Sequence, residues 1–255
     1  MVSASALAAT IYQASTWVLP VVIAVTFHEA AHGFIALRFG DDTALRARRV
    51  TFNPLNHIDR FGTIILPALL LLTTNGRFLF GYAKPVPVNF SRLHDPRRDM
   101  VWVAIAGPGT NVLLAIAAAA AFHGIAILPG GAEFARVGLF QLLFGELRIL
   151  PSPVGWVAAN IVNLIIINAA LCVFNMLPLP PLDGGRVAVG LLPRSLAYPL
   201  ARIEPYGIPI LLALLFVLPW IGERIGVNLN ILAYVIGVPT QALINLVLTL
   251  TGQGG

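Results

Sequence analysis

His28, Glu29 and His32 form an HExxH pattern, with two histidines and a glutamate inside five residues. On an α-helix, residues four apart share a face, so both imidazoles can bind one zinc ion. The glutamate is rotated by about 100° from the first histidine and can reach a water on the metal rather than the metal itself. Zinc lowers the pKa of such a water to about 7, and the carboxylate can accept its proton. The pattern therefore indicates metal-assisted hydrolysis.

The same five residues also arise by chance in soluble helices, where they simply face water. In this chain they lie inside an apolar run, with Phe27 before them and residues 34–37 (FIAL) after them. An ionisable side chain at membrane depth costs about 3 kcal/mol and is a functional candidate by default. The surroundings therefore favour the metal site over a solvated helix face.

A catalytic zinc ion usually has three protein ligands, so the two histidines need a partner. His57 and His94 lie in a basic region and His123 at a helix end, where surface or interfacial positions are expected. Asp183 is the better candidate, because it lies in the irregular segment 175–186 (NMLPLPPLDGGR) after a long apolar run. Irregular backbone at membrane depth is tolerated where it lines a cavity. The alternative is an aspartate in a Pro/Gly turn at the membrane surface.

The composition places these residues in a membrane protein. The chain has 255 residues, of which 58% are hydrophobic and 11% charged, and its mean hydropathy is +0.85. Soluble domains are about 25% charged, and disordered chains are polar, so both classes are excluded. The single cysteine excludes an intramolecular disulfide and a Cys-rich zinc knuckle. The net charge of +5 is attributed to cytoplasmic arginines rather than to nucleic-acid binding.

The expected fold is an all-α polytopic membrane protein with five to six transmembrane helices, a short re-entrant segment and minor β-strand content. The predicted spans are residues 14–38, 101–123, 156–177, 206–221 and 229–250. Residues 45–52 and 79–90 have partial strand character. The prediction is a single membrane-embedded domain over 1–255, with a core at 14–200 and additional C-terminal helices at 206–250.

Topology and metal geometry both bear on the short apolar segment 61–74. Ten of the sixteen Lys and Arg residues lie in residues 38–100, which marks that region as cytoplasmic. If 61–74 is re-entrant or lies on the surface, His28 and Asp183 reach the same side of the membrane. A crossing at 61–74 alone would separate them, and a zinc–ligand distance of about 2 Å could not be met.

Three motifs, taken in order, resemble the site-2 protease family of intramembrane zinc metalloproteases. They are HExxH at 28–32, GPGTN at 107–111 and NMLPLPPLDGGR at 175–186. The resemblance covers about residues 14–200, and residues 81–89 (GYAKPVPVN) are also similar to bacterial members. The larger members carry a PDZ domain or regulatory domains, and neither fits in this chain, which resembles a minimal form.

The resemblance implies a set of roles for single residues. His28, His32 and Asp183 would bind one Zn²⁺ per chain, and Glu29 would act as the general base. Asn111 and Asn175 would line the site, as amide donors to an oxyanion or to substrate backbone. From the residues alone, an asparagine in an apolar helix more often bonds a neighbouring helix, and Asn160, Asn163 and Asn168 are interpreted in that way.

Residues 84–89 (KPVPVN) are a candidate substrate clamp. Pro85 and Pro87 are two apart, so both missing N–H groups face one side of an extended segment. Val86 and Val88 keep their N–H groups for the other side, which could bind an unwound substrate by β-addition. The alternative is a proline-rich surface loop that serves only as a spacer.

The predicted function is regulated intramembrane proteolysis by a zinc metalloendopeptidase. The resemblance implies single-span membrane proteins as substrates. The other expected partner is the lipid bilayer, with no nucleic acid and an unassigned oligomeric state. The predicted location is a bacterial-type plasma membrane, with the active site toward the cytoplasm. The alternatives are a metal transporter, which predicts polar residues along a path through several helices, and a non-catalytic scaffold, which predicts loss of Glu29 or a ligand.

Overall fold

The computed structural model of the chain describes residues 4–65, 69, 84–145, 149 and 151–254. Within them, the helices are α1 (Ala4–Arg38), α2 (Thr43–Arg46), α3 (Pro96–Phe122), α4 (Gly131–Val137), α5 (Leu139–Phe144), α6 (Pro153–Asn175), α7 (Asp183–Leu191), α8 (Arg194–Ala201), α9 (Glu204–Leu212), α10 (Leu218–Ile225) and α11 (Ile231–Leu250). Short 3₁₀ or π turns lie at Pro54–His57, Arg60–Ile65, Phe90–Arg92, His123–Ile127 and Ala213–Val217.

Five helical stretches are long and apolar enough to cross a membrane. They are Ile11–Arg38, Pro96–Ile127, Pro153–Asn175, Glu204–Ile225 and Ile231–Leu250. Large apolar side chains such as Val18, Leu113 and Val238 stay exposed on them, as expected for surfaces that face lipid. The predicted all-α polytopic membrane fold is therefore confirmed.

Local sequence signals fix where the helices of the core begin. Asp95 accepts a hydrogen bond from the Arg98 N–H ahead of α3, and Pro96 takes the first helical position. Ser152 and Pro153 do the same for α6, where the serine hydroxyl accepts from the Gly155 N–H. Such caps satisfy N–H groups that the helix itself leaves free, and proline loses nothing at the first position.

Helices α1, α3 and α6 pack against one another, and α11 packs against α6 and α3. Small side chains, including Ala115, Ala119, Ala158 and Ala169, are fully buried where α3 and α6 meet, and they allow the backbones to approach closely. His32 contacts Val103, whereas the earlier residue Ala24 contacts the later residue Asn111. Helix α3 therefore runs antiparallel to α1 and begins at the end of the bundle where α1 ends.

This direction bears on the segment predicted to be re-entrant, residues 61–74. The connection between α1 and α3 starts and finishes at the same end of the bundle, as a segment that does not cross requires. Residues 60–65 form one π turn. Residues 66–68 and 70–74 lie outside the described residues, so the re-entrant path itself stays a prediction.

The last helix departs from a simple alternation of spans. The Thr251 carbonyl after α11 accepts a hydrogen bond from His123 Nε2 at 2.8 Å, and Gln253 donates to the Ala119 carbonyl. Helix α11 thus ends beside the end of α3. Five strictly alternating crossings would bring it instead to the end of α1. The pair Glu204–Ile225 and Ile231–Leu250 therefore does not continue the alternation of α1, α3 and α6.

The predicted strand content is not found in the described residues. Residues 45–52 form the end of α2 followed by turns, so the strand interpretation was wrong there. Of residues 79–90, the first five lie outside the described part. Residues 84–89 form neither a helix nor a hydrogen-bonded strand, but their side chains alternate between buried Val86, exposed Pro87 and half-buried Val88, as in extended backbone.

Candidate metal centre

Helix α1 presents His28 and His32 on one face, where α3 fixes both rings through their Nδ1 atoms. His28 Nδ1 donates to Asn111 Oδ1 at 2.6 Å, and His32 Nδ1 donates to the Val103 carbonyl at 2.7 Å. Because each acceptor is an oxygen, each proton lies on Nδ1, and both Nε2 lone pairs are free to bind a metal. This is the outer hydrogen-bond support that metal-binding histidines require.

Asp183 completes a triangle of ligand atoms with the two histidines. The His28 and His32 Nε2 atoms are 3.0 Å apart, and each lies 3.3 Å from Asp183 Oδ2. Tetrahedral zinc with bonds of about 2.0–2.1 Å separates its ligand atoms by about 3.3 Å. All three residues are buried, and they are the one His/Cys/Asp/Glu cluster of metal-binding shape within the described part of the chain.

The three clustered donor atoms, Asp183 Oδ2 and the Nε2 atoms of His28 and His32, favour a bound cation. Asp183 Oδ2 is buried and has no hydrogen-bond partner among the described residues. It faces two imidazole nitrogens whose lone pairs point toward it. Three lone pairs aimed at one buried point repel one another, and a metal ion there removes the repulsion and satisfies the carboxylate. The residues present therefore fit a bound metal ion.

Close backbone packing places Asp183 at the start of α7. A Cβ on Gly184 would lie 2.2 Å from the Met176 carbonyl oxygen, and one on Gly185 would lie 2.2 Å from the Pro180 nitrogen. Only glycine allows α7 to fold back this closely on the segment that follows α6. The two glycines thus carry the aspartate into the bundle.

Gly107 of α3 forms the floor of the site. A Cβ on this glycine would lie 2.5 Å from His32 Nε2 and 2.6 Å from His28 Nε2. The α3 backbone therefore approaches the two metal-facing nitrogens as closely as glycine permits. Gly109 lies two residues later in the same motif and so on the other side of α3, where a Cβ would meet no atom within 4 Å apart from the neighbouring backbone of α3 itself.

Glu29 lies beside the triangle and is already hydrogen-bonded. Its Oε2 accepts from the Val86 N–H at 2.6 Å, which joins α1 to the segment 84–89. Arg49, which is 5% exposed, donates to the Lys84 carbonyl. Burial lowers the pKa of the Arg49 guanidinium, and the nearby Glu29 carboxylate opposes that effect. The carboxylate thus accepts from a main-chain N–H and interacts electrostatically with a buried cation.

The other end of segment 84–89 is held by a second buried carboxylate, Asp41. It accepts from the Asn89 N–H at 2.7 Å and from the Thr43 N–H at 3.0 Å. Burial would raise the pKa of Asp41, but the hydrogen bonds from Thr43 and Asn89 and the charge of Arg92 lower it below its usual value. The segment is therefore fixed to the α1 end at both of its termini.

The two asparagines predicted to line the site lie in different surroundings. Asn111 is fully buried, contacts His28, and donates its amide group to Asn168 Oδ1 at 2.7 Å and to the Ala24 carbonyl at 3.3 Å. Asn175 is half-buried and donates to the Leu171 carbonyl of its own helix. The structure brings Asn111 into contact with His28 of the cluster, whereas it gives Asn175 a bond within α6.

The remaining histidines stand apart from this cluster. His57 is buried rather than exposed, and its Nε2 lies 2.9 Å from the Thr51 carbonyl. The His94 ring packs against Gly40, and His123 lies at the far end of α3 beside Thr251. None of these three histidines belongs to the His28, His32 and Asp183 cluster that the described residues form.

Comparison with known proteins gives a consistent assignment. Residues 16–218 match Peptidase family M50. The chain belongs to peptidase family M50. The chain is 36% identical over 202 residues to a Bacillus subtilis protein named "Putative zinc metalloprotease YwhC", covering 79% of this chain and 80% of that protein. It is 27% identical over 167 residues to Mycolicibacterium smegmatis "Putative zinc metalloprotease Rip2", covering 64% of this chain and 52% of that one. No solved structure gives a significant match.

The M50 assignment confirms the resemblance to the site-2 protease family that the three sequence motifs indicated. The matched residues include the whole of the metal cluster and the segment 84–89. An M50 chain with five apolar helices and a buried three-ligand site is an integral membrane metalloprotease.

Proposed function

We propose that this M50 chain is an intramembrane zinc metalloendopeptidase that cleaves membrane-spanning segments of single-span proteins. The observation that carries the proposal is the buried triangle of His28, His32 and Asp183 with Glu29 beside it. The zinc assignment is supported by the ligand set of two imidazoles and one carboxylate, a set that catalytic zinc sites use, and by the names of both relatives.

Zinc bound by this triangle would act as a Lewis acid and make water nucleophilic at neutral pH. The protein's own residues supply the rest. Asn111 and the Val103 carbonyl hold the two imidazoles in the metal-binding tautomer. Glu29 accepts the proton of the attacking water and passes it to the leaving amine. Gly107 keeps the approach to both imidazoles free of side-chain atoms.

A substrate helix must unwind before any of its carbonyl groups can be attacked, because helical carbonyls are already hydrogen-bonded. Segment 84–89 could offer replacement partners by β-addition. In extended backbone, the N–H groups of Val86 and Val88 point to the same side, and the Val86 N–H points at Glu29. A substrate carbonyl that replaces Glu29 as the acceptor of this N–H would enter beside the base and release it.

The metal-binding end of α1 leads into the Arg-rich residues 38–100, which supports an active site toward the cytoplasmic side of a bacterial-type plasma membrane. The domain would be a single unit over 1–255, with the C-terminal helices of residues 206–250 added to the catalytic core.

The proposal is tested with the purified chain in liposomes and a single-span helical substrate. We expect a chelator to abolish cleavage and added Zn²⁺ to restore it. Added Mg²⁺ should not restore cleavage, because imidazole ligands favour zinc over magnesium. His28→Ala should abolish both zinc binding and cleavage. His123→Ala, a histidine at the far end of α3, should leave both unchanged. Cleavage that persists without metal would contradict the proposal, as would a zinc-loaded chain that cleaves no helical substrate.

The clamp has its own test in the double variant Val86→Pro and Val88→Pro, which removes both donors. Two main-chain hydrogen bonds at about 1 kcal/mol each predict a loss of about 30-fold in kcat/KM. Zinc content should not change, because neither residue contacts the triangle. The matched control, Val86→Ala with Val88→Ala, keeps both N–H groups and should retain most activity. If both double variants lose kcat/KM equally, the clamp is refuted and Val86 and Val88 contribute only through packing.

A further inference from the structure

The amide of Asn111 has a fixed direction, and that direction decides whether His28 can bind a metal. Its Oδ1 faces His28 Nδ1, while its Nδ2 faces Asn168 Oδ1 and the Ala24 carbonyl. A rotation of this amide by 180° would turn its N–H₂ group toward His28 Nδ1. His28 would then have to carry its proton on Nε2, and the lone pair that faces Asp183 would be lost.

Asn168 of α6 opposes that rotation. In the rotated state, Asn111 Oδ1 would face two acceptors, Asn168 Oδ1 at 2.7 Å and the Ala24 carbonyl at 3.3 Å. Both asparagines are fully buried, so bulk water does not reach them to relieve the repulsion. The shorter of the two contacts is the one made by Asn168.

The orientation of Asn168 is in turn set by its own helix. Its Nδ2 donates to the Leu164 carbonyl, one turn earlier in α6, at 2.8 Å. This bond commits the N–H₂ end to the α6 backbone and leaves Oδ1 as the end that faces Asn111. An unbroken series of donors and acceptors therefore runs from the Leu164 carbonyl through Asn168 and Asn111 to His28.

We propose that Asn168 is a positioning residue of the metal centre, which holds Asn111 in the orientation that makes His28 a metal ligand. Both amide hydrogens of Asn111 are used in this arrangement, so its role is to orient His28 rather than to donate to an oxyanion. The inference rests on the proposed function only in that His28 binds zinc. It links the packing of α6 directly to the strength of that binding.

Another buried asparagine of α6 provides a matched control. Asn163 donates to the carbonyl and the hydroxyl of Thr16 on α1, at 3.0 and 3.1 Å. It has the same residue type, helix and burial class as Asn168, but its hydrogen bonds do not lead to a ligand. If zinc affinity depends only on helix packing, substitution of either asparagine should lower it. If zinc affinity depends on the orientation of Asn111, only substitution of Asn168 should lower it.

The experiment measures the affinity for Zn²⁺ alone, by competition with a chromogenic chelator in detergent, together with thermal unfolding of the metal-free chain. We expect Asn168→Ala to weaken zinc binding by about 10-fold or more, the usual effect of losing outer-shell support. Asn163→Ala should leave the affinity unchanged, although both variants lower the unfolding temperature. Asn168→Ser, which can bond its own helix but cannot reach Asn111, should behave as Asn168→Ala does.

A double-mutant cycle separates the relay from general packing. Asn111→Ala should weaken zinc binding at least as much as Asn168→Ala, and the double variant should bind no more weakly than Asn111→Ala alone. Three results would each overturn the inference while the proposed function stands. The first is an unchanged zinc affinity in Asn168→Ala and Asn168→Ser, and the second is an equal loss of affinity in Asn163→Ala and Asn168→Ala. The third is a set of losses that simply add in the double-mutant cycle. A wild-type chain that binds no zinc would overturn both.

Discussion

Gly107→Ala is expected to abolish zinc binding, and cleavage with it, although it adds only one methyl group. The added Cβ would lie 2.5 Å from His32 Nε2 and 2.6 Å from His28 Nε2. Neither ring can move aside freely, because each is held through Nδ1 by an oxygen of α3, the helix that carries the new methyl group. The methyl group would therefore shield the two lone pairs that bind the metal.

Gly109→Ala is the matched control for this change. It lies in the same helix and the same motif, and nothing lies within 4 Å of the added Cβ. Alanine is favoured over glycine inside a helix by about 1 kcal/mol, so this variant should be as stable as the wild type or more so. Its zinc content and cleavage rate should match the wild type.

The comparison is made by zinc analysis of both purified variants and by thermal unfolding with and without added Zn²⁺. Zinc should raise the unfolding temperature of the wild type and of Gly109→Ala, but not that of Gly107→Ala, because only a bound ligand stabilises the folded state. If Gly107→Ala still binds one zinc ion per chain, the backbone does not approach the two imidazoles as described.

The three residues of the buried cluster could be singled out from sequence because they combine local spacing with a recognisable order of motifs. His28 and His32 need only the helical period to share a face, and Asp183 follows from the Pro/Gly segment after an apolar run. The spans could also be predicted, because an apolar stretch of about 20 residues without charges is typical of a transmembrane helix.

The contacts between helices could not be predicted in the same way. A membrane helix is apolar on all sides, so its sequence does not indicate which face meets a neighbour. The approach of Gly107 to both imidazoles and the bond between Asn111 and Asn168 depend on the rotation and depth of α3 and α6. Gly107 entered the sequence analysis only as part of the GPGTN motif, and Asn168 only as an asparagine that would bond a neighbouring helix.

The direction of α11 and the bond from Val86 to Glu29 had no sequence signal of their own. The residues of that hydrogen bond are 57 positions apart, and the connecting chain has no regular pattern that sets their distance. The sequence indicated that the N–H groups of Val86 and Val88 face the same side, but it did not indicate that Glu29 accepts the hydrogen bond from Val86. Long-range pairing of this kind is decided by the packed bundle as a whole.

Glu29→Gln is expected to reduce kcat by about 10²–10⁴-fold, the usual contribution of a general base, while zinc stays bound. Glutamine keeps the length of the side chain and an oxygen that can accept from the Val86 N–H, so segment 84–89 should keep its place. What is lost is the ability to take a proton. The substitution therefore separates proton transfer from metal binding and from the geometry of the site.

The measurement is cleavage of a helical substrate in liposomes, with zinc content determined on the same samples. Glu133→Gln, the same chemical change at an exposed position of α4, is the control and should leave both unchanged. Full activity in Glu29→Gln would exclude Glu29 as the base, and loss of zinc would make it part of the metal-binding structure. The Glu29 carboxylate already accepts a hydrogen bond from the Val86 N–H, so Glu29→Gln also tests whether substrate binding depends on the negative charge of Glu29. If Glu29→Gln binds substrate normally but does not cleave it, the charge is needed for catalysis and not for substrate binding.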